Sequence, residues 1–218
     1  MKTLHRYIKK LVAQLLVVLV PVVPFACAAQ TNSSADAEAA YTKTLEKRVG
    51  DILAVLELSD SAKVKNVHDL LIAQYRALND WHNTNDAKRK AAKGEEAEAL
   101  KNSLKAIHEK FVAALSADLT PEQTEKVKDK MTYGKVQFTY AGYLNEYPGM
   151  NDTQKARVLE FLKEAREEAM DGGSSNEKSA IFNHYKGKIN NYLSAQGVIS
   201  PKKKKSPDSI TNAPNAAH

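Results

Sequence analysis

The spacing of apolar side chains is the feature that most constrains the fold of this chain. From Leu45 to Leu193 these side chains recur every three or four residues, which places them on one face of an α-helix. No stretch shows the strict alternation of apolar and polar residues that is typical of a half-buried strand. The pattern predicts an all-α fold, a compact bundle of about five to seven helices with no sheet.

The boundaries of these helices are marked by capping signals. A Ser, Thr or Asn followed three residues later by Gln or Glu forms a capping box, in which each side chain accepts a hydrogen bond from the other residue's backbone N–H. Three such pairs occur, at Thr120/Gln123, Asn151/Gln154 and Ser174/Glu177. The predicted helices cover residues 36–56, 59–94, 95–116, 120–146, 151–172 and 174–197.

The predicted helix 120–146 differs from the others because it has two apolar faces. One face is rich in tyrosine and the other includes Phe138. A helix that is apolar on two faces is expected at the centre of a bundle. Gly134 and Gly142 would then allow neighbouring helices to approach closely.

The two ends of the chain differ in composition from the helical part. Basic residues between positions 2 and 10, an apolar run at 15–25 and the small residues 26–28 are typical of a secretory signal peptide. We predict cleavage after Ala28 and a periplasmic or extracellular location. A lipoprotein, in contact with the membrane through a lipid on Cys27, is the less favoured alternative because the bulky Phe25 lies just before that position. The predicted organisation is a signal peptide at 1–28, a flexible lead-in at 29–35, a helical domain at 36–199 and a disordered basic tail at 200–218.

The formal net charge of +6 comes from the ends of the chain. The leader has four basic residues and no acidic one, and the tail has lysines at positions 202–205. The helical part is close to neutral, so the charge gives no reason to expect a nucleic acid as a partner. Cys27 is the only cysteine, and the mature chain would therefore contain no disulfide.

Patterns for catalysis and metal binding are weak. The chain has no G-x-S-x-G motif, and adjacent glutamates such as Glu95 and Glu96 point apart on a helix. His82 and Asp86 lie one helical turn apart, but they are two ligands where zinc needs three or four. We therefore expect a protein that is not an enzyme, has no cofactor and binds no metal.

Two aromatic-rich segments are candidates for a sugar-binding site. Aromatic rings can stack on the C–H face of a sugar, and nearby polar side chains can bind its hydroxyl groups. The candidate ligand-binding residues are Trp81, Asp80, His82, Tyr140, Tyr143, Asn145 and Tyr147. The alternative, which the sequence leaves open, is that these rings are core residues whose polar atoms find partners inside the protein.

Four segments of the chain resemble a known family. They are YRALNDWHN at 75–83, YGKVQFTYAGYLNEYP at 133–148, AREEAMDGGS at 165–174 and YKGKINNYL at 185–193. In this order after a signal peptide, they resemble an uncharacterised bacterial family, domain of unknown function 3826, over roughly residues 41–197. The resemblance implies that the protein occurs in bacteria that degrade plant and algal polysaccharides. The family is loosely labelled as sugar-binding, and the resemblance implies no catalytic residue. We therefore expect an exported, non-catalytic protein that binds carbohydrate or assists polysaccharide use.

A weaker resemblance gives the alternative function. Residues 119–123 are similar to the Leu-Thr-x-x-Gln motif of small helical chaperones of the periplasmic stress response. Residues 150–154 match only the last position of that motif. A chaperone would need an exposed apolar surface for unfolded clients. The oligomeric state and the role of the lysine tail stay open.

Overall fold

The computed structural model describes the backbone of residues 27–199 and the side chains of residues 35–199. Within these residues there is no strand, and the all-α prediction is confirmed. The predicted signal peptide, apart from its last two residues, and the predicted basic tail lie outside this range. The described range contains seven helices: α1 (Cys27–Leu53), α2 (Ser61–Ala91), α3 (Gly94–Asp118), α4 (Pro121–Met131), α5 (Lys135–Glu146), α6 (Asp152–Met170) and α7 (Ser175–Ala195).

Contacts divide the chain into two units, Met1–Lys43 and Thr44–His218. In the described part of the first unit the backbone is already helical from Cys27, so residues 29–35 belong to α1 where the sequence predicted a flexible lead-in. The second unit holds the end of α1 and all the other helices. No helix in the described range is both long enough and apolar enough to cross a membrane.

Two hydrophobic clusters form the core of the second unit. The first contains Val49 of α1, Leu71 of α2 and Phe111 of α3, together with apolar residues of α4. The second contains apolar residues of α5, α6 and α7, such as Leu162 and Ile189. Helix α6 joins the two, because its last residue, Met170, packs in the first cluster while the rest of its apolar face packs in the second.

The capping predictions hold with one difference. Thr120 with Gln123 and Asn151 with Gln154 each form both hydrogen bonds of a capping box. At α7, the hydroxyl of Ser174 accepts from the backbone N–H of Glu177 at 3.1 Å, as predicted. The Glu177 carboxylate, however, accepts from the N–H of Gly173 at 2.9 Å and not from that of Ser174.

The prediction of one helix over residues 120–146 is wrong, because the backbone turns between α4 and α5. Tyr133 and Gly134 have φ angles of 60° and 63°, which cannot continue a right-handed helix. The N–H of Gly134 donates to the carbonyl of Asp129 at 2.8 Å, and the N–H of Tyr133 donates to that of Lys130 at 3.2 Å. These two bonds form a Schellman motif in which tyrosine holds the place usually taken by glycine, so the residue type at this position did not indicate a helix end.

The predicted central position of this segment is also wrong. The Phe138 side chain is 82% exposed, so the second apolar face of α5 is directed to solvent. Apart from the neighbouring backbone, no atom of the described residues lies within 4 Å of the place where a Cβ would stand at Gly134 or Gly142. These glycines do not mediate close helix packing, and Gly134 instead allows the left-handed turn.

Candidate functional site

A groove of about 530 Å³ lies between α5 and α7. Its walls are aromatic and its edges carry amide, amine and carboxylate groups. We call it the tyrosine groove and define it by Phe138, Tyr143, Asn145, Glu146, Tyr147, Lys186 and Asn190. Three of the seven predicted site residues, Tyr143, Asn145 and Tyr147, therefore lie together in one groove.

The two tyrosines of the groove are fixed by hydrogen bonds. Their rings lie 6.1 Å apart between centroids at an interplanar angle of 28°. The Tyr143 hydroxyl donates to the Asn190 side-chain oxygen at 2.8 Å, and the Tyr147 hydroxyl donates to the Glu146 carboxylate at 2.8 Å. Burial, together with the nearby Tyr147 and Glu146, raises the pKa of Tyr143 to about 12, so its hydroxyl stays protonated at neutral pH.

Other groups of the groove are open to solvent. Phe138 and Tyr133 are the two large hydrophobic residues that are exposed in the described part of the chain, and Phe138 is the one that borders the groove. Asn145 is exposed, and its amide has no hydrogen bond within the described residues. The groove thus combines the solvent-exposed ring of Phe138 with the amide of Asn145, which has no hydrogen bond to the described residues.

The other predicted site residues do not line this groove. Trp81 is only 8% exposed, and its indole N–H donates to the Ser103 hydroxyl of α3 at 2.9 Å. Asp80 is exposed on α2, and Tyr140 packs partly buried against the second hydrophobic cluster. The single site predicted from the sequence is therefore divided, because the Trp81 segment contributes nothing to the groove.

His82 is a buried structural residue. Its Nδ1 lies 2.9 Å from a carboxylate oxygen of Asp86, and its Nε2 lies 2.7 Å from the carbonyl oxygen of Asp171. A Cβ added at Gly173 would stand 2.7 Å from the imidazole ring, so this glycine leaves the space that the ring fills. The pair considered as metal ligands is thus a hydrogen-bonded pair, and no group of three or more possible metal ligands occurs among the described residues.

A network of charged side chains, which was not predicted from the sequence, continues from Asp171 through the interior. Nδ1 of His108 lies 3.1 Å from the Asp171 carboxylate, and its Nε2 lies 3.6 Å from that of Glu167. Glu167 also accepts from Lys128 at 2.8 Å. We call this set the charge network; its members are His82, Asp86, His108, Glu125, Lys128, Asp129, Arg166, Glu167 and Asp171.

Arg166 is the most deeply buried charge of this network. Its side chain is 3% exposed and donates to Asp129 at 2.7 Å, to Glu125 at 2.8 Å and to Glu167 at 3.1 Å. It follows Val158 and Leu162 at intervals of four residues, on the apolar stripe of α6. A charged residue on an apolar stripe is the signal that could have revealed the network from sequence.

The network shifts the pKa values of two of its members strongly. The hydrogen bond to Asp171 and the interaction with Glu167 raise the pKa of His108 to about 9. Burial alone would raise the pKa of Glu167, but His108 and Lys128 outweigh it and lower that pKa to about 2. Both groups are therefore charged at neutral pH, and their opposite charges stabilise one another.

Comparison with known proteins gives one family. The model of a family described as "Protein of unknown function (DUF3826)" matches residues 42–208. The match includes the groove and the charge network, and it extends beyond the end of the resemblance at residue 197 into the lysine-rich tail. No curated protein matches the chain.

Proposed function

We propose that this chain, which belongs to the DUF3826 family, is an exported, non-catalytic protein. Its ligand is a neutral carbohydrate, which binds in the tyrosine groove. The site differs from the one predicted from sequence, since it contains Tyr143, Asn145 and Tyr147 but not Trp81. Phe138, Lys186 and Asn190 complete it.

The observation that carries the proposal is the position of Phe138. Its side chain is 82% exposed beside a groove whose two tyrosine rings are already fixed. A phenyl ring held in water gains free energy when an apolar surface covers it. The C–H face of a sugar provides such a surface without requiring charge, and the walls of the groove would contact the adjoining sugar unit.

The polar edge of the groove is suited to hydroxyl groups. Asn190 uses its side-chain oxygen to accept from Tyr143, which leaves its NH₂ group as a donor on the exposed side. Asn145 offers both a donor and an acceptor, and Lys186 adds a cation at the rim. A few placed polar groups at the edge of an apolar surface give orientation and specificity.

The absence of catalysis is part of the proposal. Hydrolysis of a glycosidic bond uses two carboxyl groups that flank the scissile bond. Among the described residues that line the groove, Glu146 is the one carboxylate, and it already accepts from Tyr147. This arrangement supports binding more than hydrolysis.

A glycan-array screen followed by calorimetry tests the proposal. The purified chain is expected to bind a neutral plant or algal glycan, and Phe138→Ala should weaken that binding about fivefold or more. Tyr133→Asn is the matched control, because Tyr133 is the other exposed aromatic residue, lies outside the groove and has a left-handed backbone that Asn tolerates. If both variants weaken binding equally, or if no glycan binds at millimolar concentration, the proposal that the groove binds carbohydrate is wrong.

The predicted location needs its own experiment. N-terminal sequencing of the protein secreted by a bacterial host should show a first residue near Ala29. A chain recovered with Met1 in the cytoplasm would contradict export, and a lipid on Cys27 would show a lipoprotein.

The chaperone alternative stays a prediction. It requires a contiguous apolar surface, and the described surface exposes only two large hydrophobic residues, Tyr133 and Phe138. Light scattering with an aggregating client separates the two functions. Suppression of aggregation at a near-equimolar ratio would favour the chaperone.

A further inference from the structure

A second and larger cavity, of about 1030 Å³, opens beside the turn between α4 and α5. It shares no lining residue with the tyrosine groove. Its walls come from the end of α1, from α2, α4 and the start of α5, and from Lys178 of α7. We call it the basic cavity and define it by Arg48, Glu57, Tyr75, Lys130, Tyr133 and Lys178.

Two cations in this cavity have no acidic partner. The Lys178 side chain is buried and donates to the carbonyl oxygens of Ala169 at 2.8 Å and Met170 at 2.9 Å, which leaves one of its three N–H donors. Arg48 lies over the Tyr75 ring, 5.9 Å from its centroid. Among the described residues, these carbonyl and ring contacts are the ones that the two cations form, and neither cation has an ion pair with a carboxylate.

The two cations also act on each other. Burial lowers the pKa of Lys178 to about 8, and the positive charge of Arg48 contributes in the same direction. Asp171 and Glu177 oppose this shift but do not reverse it. An anion that contacts both Arg48 and Lys178 would relieve their repulsion.

The charges around the cavity limit the ligand to a small negative charge. The lining contains the bases Arg48, Lys126, Lys130 and Lys178 and the acids Asp51, Glu57 and Asp129. Asp129 is bonded to Arg166, and Lys126 donates to the carbonyl of Val55. As a formal count, the lining has four cations and three carboxylates, an excess of one positive charge. The carboxylates in the lining repel a phosphate dianion or a polyanion more strongly than a monoanion.

The rim of the cavity is formed where two helices end. Glu57 lies in the turn after α1 and Tyr133 in the turn after α4. They are the two non-glycine residues with positive φ in the described chain, at 53° and 60°, and both line this cavity. These turns therefore place the side chains of Glu57 and Tyr133 in the wall of the cavity.

We propose that the basic cavity binds a small hydroxylated molecule with a single carboxylate, the class to which uronic acids belong. The carboxylate binds between Arg48 and the remaining N–H donor of Lys178, since a guanidinium and a carboxylate match in geometry. Tyr75 and Tyr133 cover the apolar face of the molecule, and Glu57 and Asp51 accept from its hydroxyl groups. This proposal does not depend on the tyrosine groove.

Calorimetry on the purified chain with D-galacturonate and D-glucuronate tests the proposal, with D-galactose and inorganic phosphate as comparison ligands. We expect one uronate to bind at about 1 mM or tighter, and phosphate and galactose to bind at least tenfold more weakly. If the chain binds galactose or phosphate with the same affinity as the uronates, or binds none of the four ligands, the proposal is wrong.

Variants identify the site. Arg48→Gln should weaken uronate binding roughly tenfold or more, because a charge-assisted hydrogen bond is lost. Arg48 is exposed, so this variant is expected to fold, whereas replacing Lys178 would leave carbonyls of α6 without donors. Lys105→Gln removes the same charge from an exposed position of α3 outside the cavity and should leave affinity unchanged within about twofold. Equal effects of both variants would refute the assignment.

Phe138→Ala separates the two proposals, since this residue lines only the tyrosine groove. Uronate affinity should be unchanged in this variant. If Phe138→Ala abolishes uronate binding and Arg48→Gln does not, the uronate occupies the groove, and the inference about the basic cavity is wrong while the proposed function stands.

Discussion

The segment around Trp81 and the tyrosine groove resemble each other in sequence but differ in structure. Both combine aromatic rings with amides and carboxylates at helical spacing. In the first, the indole N–H and both imidazole nitrogens contact other protein groups. In the second, Phe138 is uncovered and Asn145 has no hydrogen bond within the described residues. Composition therefore does not distinguish core residues from the lining of an open groove, whereas the number of polar atoms that already have a partner in the protein does.

The difference has a source in chain topology. The partner of His82 Nε2 is the carbonyl of Asp171, 89 residues away, at the end of α6. The groove is lined by residues of α5 and α7 and by Tyr147, and no other helix of the described structure contributes to its lining. We therefore expect large effects on stability from substitutions in the charge network and small effects from substitutions in the groove.

Arg166→Leu should have the largest effect. The variant leaves Asp129, Glu125 and Glu167 without their shared cation. We expect a loss of about 3 kcal/mol in the free energy of unfolding, near the lower end for a buried ion pair because the acids are partly exposed. Urea denaturation measures it. Arg157→Leu, in the same helix with a 40% exposed side chain, should cost less than about 1 kcal/mol. If the two variants lose similar amounts of stability, the charge network contributes no more to stability than an exposed ion pair does.

The second prediction concerns pH. The pKa of His108 rises from 6.5 to about 9 on folding, so its contribution is complete below pH 6.5 and is lost as the pH rises through 9. The pKa of Glu167 falls from 4.5 to about 2, so its contribution is complete above pH 4.5 and is lost as the pH falls through 2. The network should therefore stabilise the fold most between pH 4.5 and 6.5.

Urea denaturation at a series of pH values measures this dependence. Between pH 6.5 and 8 the protein should lose roughly 1 kcal/mol of stability as His108 loses its proton, since part of the interaction is screened by solvent. Above pH 8, Lys178 loses its proton in the folded chain before it does so in the unfolded chain, which adds stability and offsets the further loss from His108. His108→Gln should remove most of this slope, whereas Tyr147→Phe in the groove should leave it unchanged. If the dependence of stability on pH persists in His108→Gln, another titrating group causes it.

Gly173→Ala should have a smaller effect. The added Cβ would stand 2.7 Å from Cγ of His82, which must move although both its nitrogens are bonded. We expect a loss of about 1 to 2 kcal/mol by thermal denaturation, as for other overpacked cores. Gly187→Ala is the control, because no atom lies within 4 Å of its added Cβ and alanine favours the helix. That control should be neutral or slightly stabilising; a loss as large as that of Gly173→Ala would exclude the steric explanation.

The smallest effect is expected in the groove. Phe138→Ser should change the free energy of unfolding by less than about 0.5 kcal/mol, because the side chain is exposed. Phe182→Ser is the matched control, since that side chain is 2% exposed, and it should cost about 3 kcal/mol or more. A large loss from Phe138→Ser would mean that Phe138 is covered in solution, for example by a second copy of the chain.

The helices could be predicted from the sequence because their causes are local. Apolar spacing set the faces, and the Thr120 and Asn151 boxes set two starts to the residue. The turn at Tyr133 escaped prediction because the residue that adopts the left-handed conformation before Gly134 is a tyrosine. The two helices are also held by distant parts of the chain, since α4 packs against α3 and α6 and α5 packs against α6, and no short window of sequence contains these contacts.

The candidate site could be predicted only in part, for the same reason. Tyr143, Asn145 and Tyr147 are neighbours on one helix, so their spacing indicated a shared location. Arg166 and Lys178 look like ordinary charged helix residues until partners from distant helices are known. Their position on apolar stripes was the available signal, and it indicates burial without identifying the partner.

The charge network has a consequence for the dynamics of the fold. It connects α2, α3, α4 and α6, and Arg89 of α2 extends the chain of contacts to Glu177 of α7 at 2.7 Å. No member of the network lies on α5. Opening any of the five connected helices must break charged contacts with at least one other, so their amide protons should exchange with solvent as one cooperative unit, while those of α5 exchange earlier. The helix that presents Phe138 would then open more readily than the five connected helices.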